Sequence, residues 1–105
     1  EMLDDFVFDS LNDFHPKKDV LPIPDREDLE ADYSFHPNGK PVYLFGVKDV
    51  AKARLATLSY QAYLLNDIKY HGWVVTENFE ALPRKDKLRL TNSCDKQFTS
   101  LDEFK

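Results

Sequence analysis

Between residues 32 and 76 the hydrophobic period of the chain changes twice, and no other feature limits the fold as much. Asp32-Tyr33-Ser34-Phe35-His36 alternates at the two-residue repeat of a strand. Pro37-Asn38-Gly39-Lys40 follows, carrying the Asn-Gly pair that accepts positive φ in a tight turn, and Pro41 to Val47 resumes an extended pattern. After Lys48-Asp49 the period becomes helical. Ala51, Leu55, Leu58, Ala62 and Leu65 recur at three and four residues, flanked by Lys52, Arg54 and Gln61, which predicts a helix over about 50 to 66. Its small residues, Ala51, Ala53, Ala56, Ser59 and Ala62, would let it lie close on a sheet. The second change comes at His71-Gly72-Trp73-Val74-Val75-Thr76, short, apolar and β-branched, the pattern of a buried strand. A strand, a helix and a strand in that order predict parallel neighbours joined by a right-handed crossover. The Ala51/Leu55/Leu58/Ala62/Leu65 stripe is expected to face the sheet, with Leu58 in the core.

The remaining segments complete an α/β (α+β) reading: a small mixed sheet with a central hairpin, a strand–helix–strand crossover and a flanking N-terminal helix. Leu3, Val7, Leu11 and Phe14 place that helix near residues 2 to 13, ahead of Pro16. Val20 to Pro24, broken by two prolines, is restricted to a sheet edge or an extended connection. Residues 77 to 82 read as a turn, 83 to 90 as a basic helix or irregular segment, and 96 to 99 as a weak strand. At 105 residues, 42% hydrophobic and 31% charged, the chain suits one folded domain over its whole length. Glu1 ahead of Met2, and the S-x-x-E capping spacing of Ser100 and Glu103 at the far end, favour a piece of a longer protein. No apolar run nears the roughly 20 residues of a membrane span, the acidic opening lacks a signal peptide's basic start, and Cys94 is the only cysteine. The expected setting is therefore cytoplasmic, away from membranes.

Several side chains invite a chemical role and have a plainer alternative. Arg84, Lys85, Lys87 and Arg89 form the one compact basic cluster, a candidate binding patch for phosphate or for an acidic partner face. The plainer alternative is a solvated helix face interrupted by Asp86. A net charge of −5 opposes a general affinity for polyanions, so only weak nucleic-acid binding is expected and a protein partner or a neighbouring domain is preferred. Tyr60, Tyr63, Tyr70 and Trp73 would suit base stacking but are read as core and rim packing. Gln61 is read as solvent-facing. His15, His36 and His71 are too far apart to form a ligand pair on one element, and Cys94 has no histidine near it in sequence. Gly-rich phosphate loops, a serine nucleophile elbow and a dinucleotide fingerprint are absent from the sequence.

The order helix, weak strand, hairpin, long helix and buried strand, from residue 1 to about 76, resembles the core of the PD-(D/E)XK nuclease-like superfamily. That resemblance implies an aspartate opening the second strand, where Asp32 stands, and a lysine near the end of the third, where Lys48 stands. It implies a magnesium-type cation held by carboxylates to polarise a phosphate, with the lysine orienting water. The position two before Lys48 is Gly46, however, so the triplet reads Gly46-Val47-Lys48 and the second metal carboxylate is missing. Asp49 or Glu30 would have to substitute. Asp49 points away from Lys48 in an extended strand and is equally the N-cap of the helix that starts at Val50. The expected function is a non-catalytic binding or accessory domain on a nuclease-like scaffold, without a cofactor and tied to a bacterial or phage defence system. The alternative is a working metal-dependent nuclease in which Asp32, Asp49 and Lys48 converge, Asp32 and Asp49 holding magnesium.

Overall fold

The computed structural model describes residues 2–104. Five strands form one mixed sheet: β1 (Lys17–Val20), β2 (Ala31–Asn38), β3 (Lys40–Val47), β4 (His71–Thr76) and β5 (Lys96–Phe98), in that spatial order. The pairs β1/β2 and β2/β3 are antiparallel, whereas β3/β4 and β4/β5 are parallel. Asn38 pairs with Lys40 across Gly39, whose φ of 67° lies in the left-handed region that glycine adopts most readily. Helix α2 (Val50–Leu65) joins β3 to β4, and α3 (Arg84–Ser93) joins β4 to β5. The expected hairpin and strand–helix–strand unit are both present.

Alternation along the strands sends side chains to two cores. Ala31, Tyr43, Phe45, Val47 and Val74 pack with Ala53, Ala56, Tyr60 and Tyr63 of α2 and Leu90 of α3. On the other face Tyr33, Phe35, Val42, Leu44 and Val75 meet Leu3 and Val7 of α1 (Met2–Ser10) and Phe104 of α4 (Leu101–Phe104). The N-terminal helix stops at Ser10, and one 3-10 turn over Asn12–Phe14 replaces its expected last turn. The first strand lies ahead of the two prolines, which cannot donate to a ladder, and leaves them in the connection. Ser100 does cap α4, its Oγ accepting from Glu103 N–H at 3.1 Å, while the Glu103 carboxylate takes the Thr99 hydroxyl. Among the described residues no helix is long and apolar enough to cross a membrane.

The phase of α2 differs from the expected one. Leu58 and Leu65 are 56% and 85% exposed, and Ala51 is exposed as well, whereas Ala53, Ala56, Thr57, Tyr60 and Tyr63 are buried. Two apolar stripes compete on this helix, and the aromatic one wins because each tyrosine buries more area and its hydroxyl still finds a carbonyl. Tyr60 Oη lies 2.7 Å from Tyr43 O and 2.8 Å from Trp73 O, sharing its proton between two neighbouring strands. Tyr63 Oη donates to Leu29 O in the turn before β2. Gly72 makes room for this: a Cβ there would stand 2.9 Å from Cε1 and Cζ of Tyr60.

Gly72→Ala should therefore cost about 1–3 kcal/mol by overpacking, whereas Leu58→Ala should change stability by less than about 0.5 kcal/mol, as for an exposed site. Urea unfolding of the two variants measures both; a large loss for Leu58→Ala would restore the leucine stripe to the core.

Candidate functional site

A recess of about 310 Å³ opens at the carboxyl ends of β3 and β4, the edge where open α/β sheets place their ligand crevices. The antiparallel course of β2 brings Asp32, near its start, to the same edge as Gly46 and Lys48 at the end of β3. Glu77 follows β4 directly and is tied in by its N–H, which donates to Val47 O at 3.0 Å. Lys18 and Asp19 of β1 and Lys52 of α2 complete the polar lining. Asp19 takes a positive φ of 55°, unusual within a strand, at this rim.

Asp32 has both carboxylate oxygens engaged. Oδ1 accepts from Lys52 Nζ at 2.7 Å, and Oδ2 accepts from the backbone N–H of Gly46 at 2.9 Å. The two charged side chains are 24% and 26% exposed, so the pair is only partly screened by water. The ammonium also stands 5.7 Å from the Phe45 ring centroid. Asp49 is engaged elsewhere, its Oδ1 accepting from Lys52 N–H at 2.8 Å, which caps α2 and fixes the turn that carries Lys52. It lies outside the lining of the recess. The structure thus brings Asp32 and Lys48 into one recess with Glu77 and Asp19, and leaves Asp49 at the helix cap. Glu30 is near this group, its pKa raised by burial first and by Asp19 next, with a further push from Asp32.

Magnesium favours an octahedral shell of oxygen donors. Gly46 supplies no side-chain oxygen, Asp32 is occupied by an ammonium and an amide, and among the described residues no group of three or more His, Cys, Asp or Glu side chains is placed to hold a metal ion. The residues present do not fit such a cation. Lys52 and Glu77 escaped the sequence reading, although two signals pointed to them. Lys52 sits three residues past a capping aspartate, in the first turn that leans over the sheet edge, and Glu77 immediately follows a buried parallel strand.

The basic cluster is divided by the helix that carries it. Lys87 Nζ pairs with Glu80 at 3.1 Å and stands over Phe79, and Arg89 approaches Asp86 at 3.9 Å. Arg84 and Lys85 are exposed and have no ion pair with a described residue. Asp86 turns inward, 3% exposed, and accepts from Arg54 Nε at 3.0 Å and from Arg54 Nη2 at 3.3 Å, joining α2 to α3. Tyr60 and Tyr63 are fully buried, and Trp73 packs on the other face of the sheet against Phe35 and Phe98, so no aromatic platform for bases forms among the described residues. Burial pushes the half-buried Cys94 thiol up to about 11, which keeps it protonated at neutral pH and a poor nucleophile. No protein-family model, curated protein or solved structure matches the chain.

The Arg54 guanidinium holds the Asp86 carboxyl below its ordinary value, with a smaller contribution from Arg89. A lowered carboxyl pKa stabilises the fold above the unfolded-state value near 4, and that contribution is lost as pH falls through the carboxylate range. The stability difference between wild type and Arg54→Met should thus be full at neutral pH and shrink on acidification. Urea midpoints measured between about pH 7 and pH 3 test this; a difference independent of pH would mean that the pair acts through packing alone.

Proposed function

We propose that this domain is a non-catalytic binding module on a nuclease-like scaffold, serving by contact with a protein partner. The observation that carries the reading is the ion pair at Asp32: where the resemblance would put a divalent cation, the side chain receives the Lys52 ammonium at 2.7 Å and the Gly46 amide at 2.9 Å. An internal ammonium neutralises the carboxylate as a metal would, but it has no free coordination position on which to activate water or polarise a phosphate. The glycine at position 46 agrees with this, since it removes the other carboxylate that the scaffold would use. A role in bacterial or phage defence belongs to the same proposal and rests on the resemblance alone.

A second reading, a nuclease with a migrated carboxylate, draws on the sharing of one recess by Asp32, Lys48, Glu77 and Asp19. Its rearranged donors would be Glu77 or Glu30 in place of Asp49. It requires Lys52 to leave Asp32 when metal binds, at the cost of exposing one charge and desolvating another.

Incubation with duplex DNA, single-stranded DNA and RNA in magnesium or manganese buffer should give no cleavage above a heat-denatured control. Metal-dependent cleavage that Asp32→Ala abolishes would establish the second reading instead.

A further inference from the structure

Helix α2 is apolar on two sides, and only one of them is covered. Arg54, Leu58, Gln61 and Leu65 follow one another at four, three and four residues, all exposed, and Leu64 lies beside them at 63% exposure. Here the tyrosine side packs on the sheet, α3 packs along one flank, and the leucine side is left in water. Between the two helices runs a shallow groove in which Arg54, Leu58, Gln61 and Arg89 converge at one end and Gln61, Leu64, Arg89 and Asn92 at the other. Scattered exposed leucines need no explanation, but three on one helix beside two adjoining recesses that share Gln61 and Arg89 mark a contact surface.

Charge narrows the occupant. Helix α2 contains no carboxylate, and Asp86 is the only one in α3, turned inward under Arg54 and Arg89. The cations of these two helices are Lys52, Arg54, Arg84, Lys85, Lys87 and Arg89, in a chain whose total charge is −5. Lys52 turns to Asp32 at the sheet edge and Lys87 pairs with Glu80, which leaves Arg54 and Arg89 beside the leucines and Arg84 and Lys85 at the start of α3, four exposed cations against the one buried carboxylate of Asp86. A nucleic acid would match the charge but not the leucines, since the aromatic rings it would stack on are buried. An amphipathic helix with acidic flanks matches both, its apolar residues entering at i, i+3/i+4 and i+7 spacing.

We infer that the α2–α3 groove docks an acidic amphipathic helical segment of a partner protein, with Leu58 and Leu64 as the apolar contacts, Arg54 and Arg89 as the charged rim, and Arg84 and Lys85 adding positive charge from the start of α3. The inference rests on the reading of the domain as a protein-binding module and gives that reading a surface. Docking covers the apolar stripe that the fold leaves open, while the rim charges steer the approach and fix its direction.

The test uses a fluorescein-labelled helical peptide with leucine at i, i+4 and i+7 and glutamate on the remaining face, titrated by anisotropy with the full chain. Controls are the same peptide with lysine for glutamate and a scrambled sequence. The acidic peptide should bind at least about tenfold tighter than either control, and the Leu58→Ser/Leu64→Ser double variant should weaken it about tenfold or more. Arg84→Glu/Lys85→Glu should weaken it and reduce its salt dependence. All four changes are at exposed positions, and unchanged urea midpoints would show that the variants remain folded. Equal affinity for acidic and basic peptides, or binding untouched by the leucine changes, would overturn the inference. So would a leucine-dependent dimer in sedimentation, which would make the occupant a second copy, or an oligonucleotide that displaces the peptide at physiological salt. Failure here leaves the prediction of no cleavage standing, whereas metal-dependent cleavage would defeat the binding-module reading and leave the peptide titration interpretable.

Discussion

The close approach of Tyr60 to Gly72 sets the rotation of α2, and the rest of the molecule follows from that rotation. With no side chain at position 72, the ring lies against β4 and its hydroxyl reaches the carbonyls of Tyr43 and Trp73. Tyr63 then packs edge-on and Tyr70 stacked against it, the Tyr43 ring closes on both of these, and the hydroxyls of Tyr63 and Tyr70 find carbonyls of their own. Burying two tyrosine rings is worth on the order of 2 kcal/mol each, and what the leucine side of the helix cannot match is the set of carbonyl acceptors that the hydroxyls reach and the space that Gly72 leaves for one ring.

Two surfaces are consequences of this phase. Turned this way, the first turn of α2 aims Lys52 at Asp32, and Asp49 caps that turn and holds it in place. The same rotation puts Leu58, Leu64 and Leu65 outside, next to the basic edge of α3. A helix rotated to bury its leucines would swing Lys52 off the sheet edge and leave Asp32 open. The closed carboxylate and the exposed apolar stripe are therefore linked through one packing decision.

Much of the architecture was legible in the sequence because it rests on local signals. The Asn38-Gly39 turn, the β-branched run at 74 to 76 and the change of period after Asp49 each declare their element without tertiary help. Asp49 was legible as a cap for the same reason. The phase of α2 was not, since leucine and tyrosine stripes satisfy the helical period equally well and the choice depends on Gly72, which lies seven residues beyond the end of the helix. Asp32 and Lys48 were recognisable as neighbours through the strand order. Lys52 on Asp32, and Glu77 beside Lys48, depend on how far α2 leans over the sheet edge and where β4 ends, which pattern alone does not fix. The basic cluster looked uniform in sequence, and only the inward turn of Asp86 and the partners of Lys87 and Arg89 divide it.

The central claim is that an internal ammonium holds the carboxylate on which a metal site would be built. Manganese titration followed by isothermal calorimetry, with wild type and Asp32→Ala side by side, tests it most directly. No saturable heat is expected in either protein across the submillimolar range in which hard-cation sites of working strength fill, on the order of 10⁻⁴ M and below. Saturable binding by wild type that disappears in Asp32→Ala would show that Lys52 yields its place to a cation, and would contradict the claim.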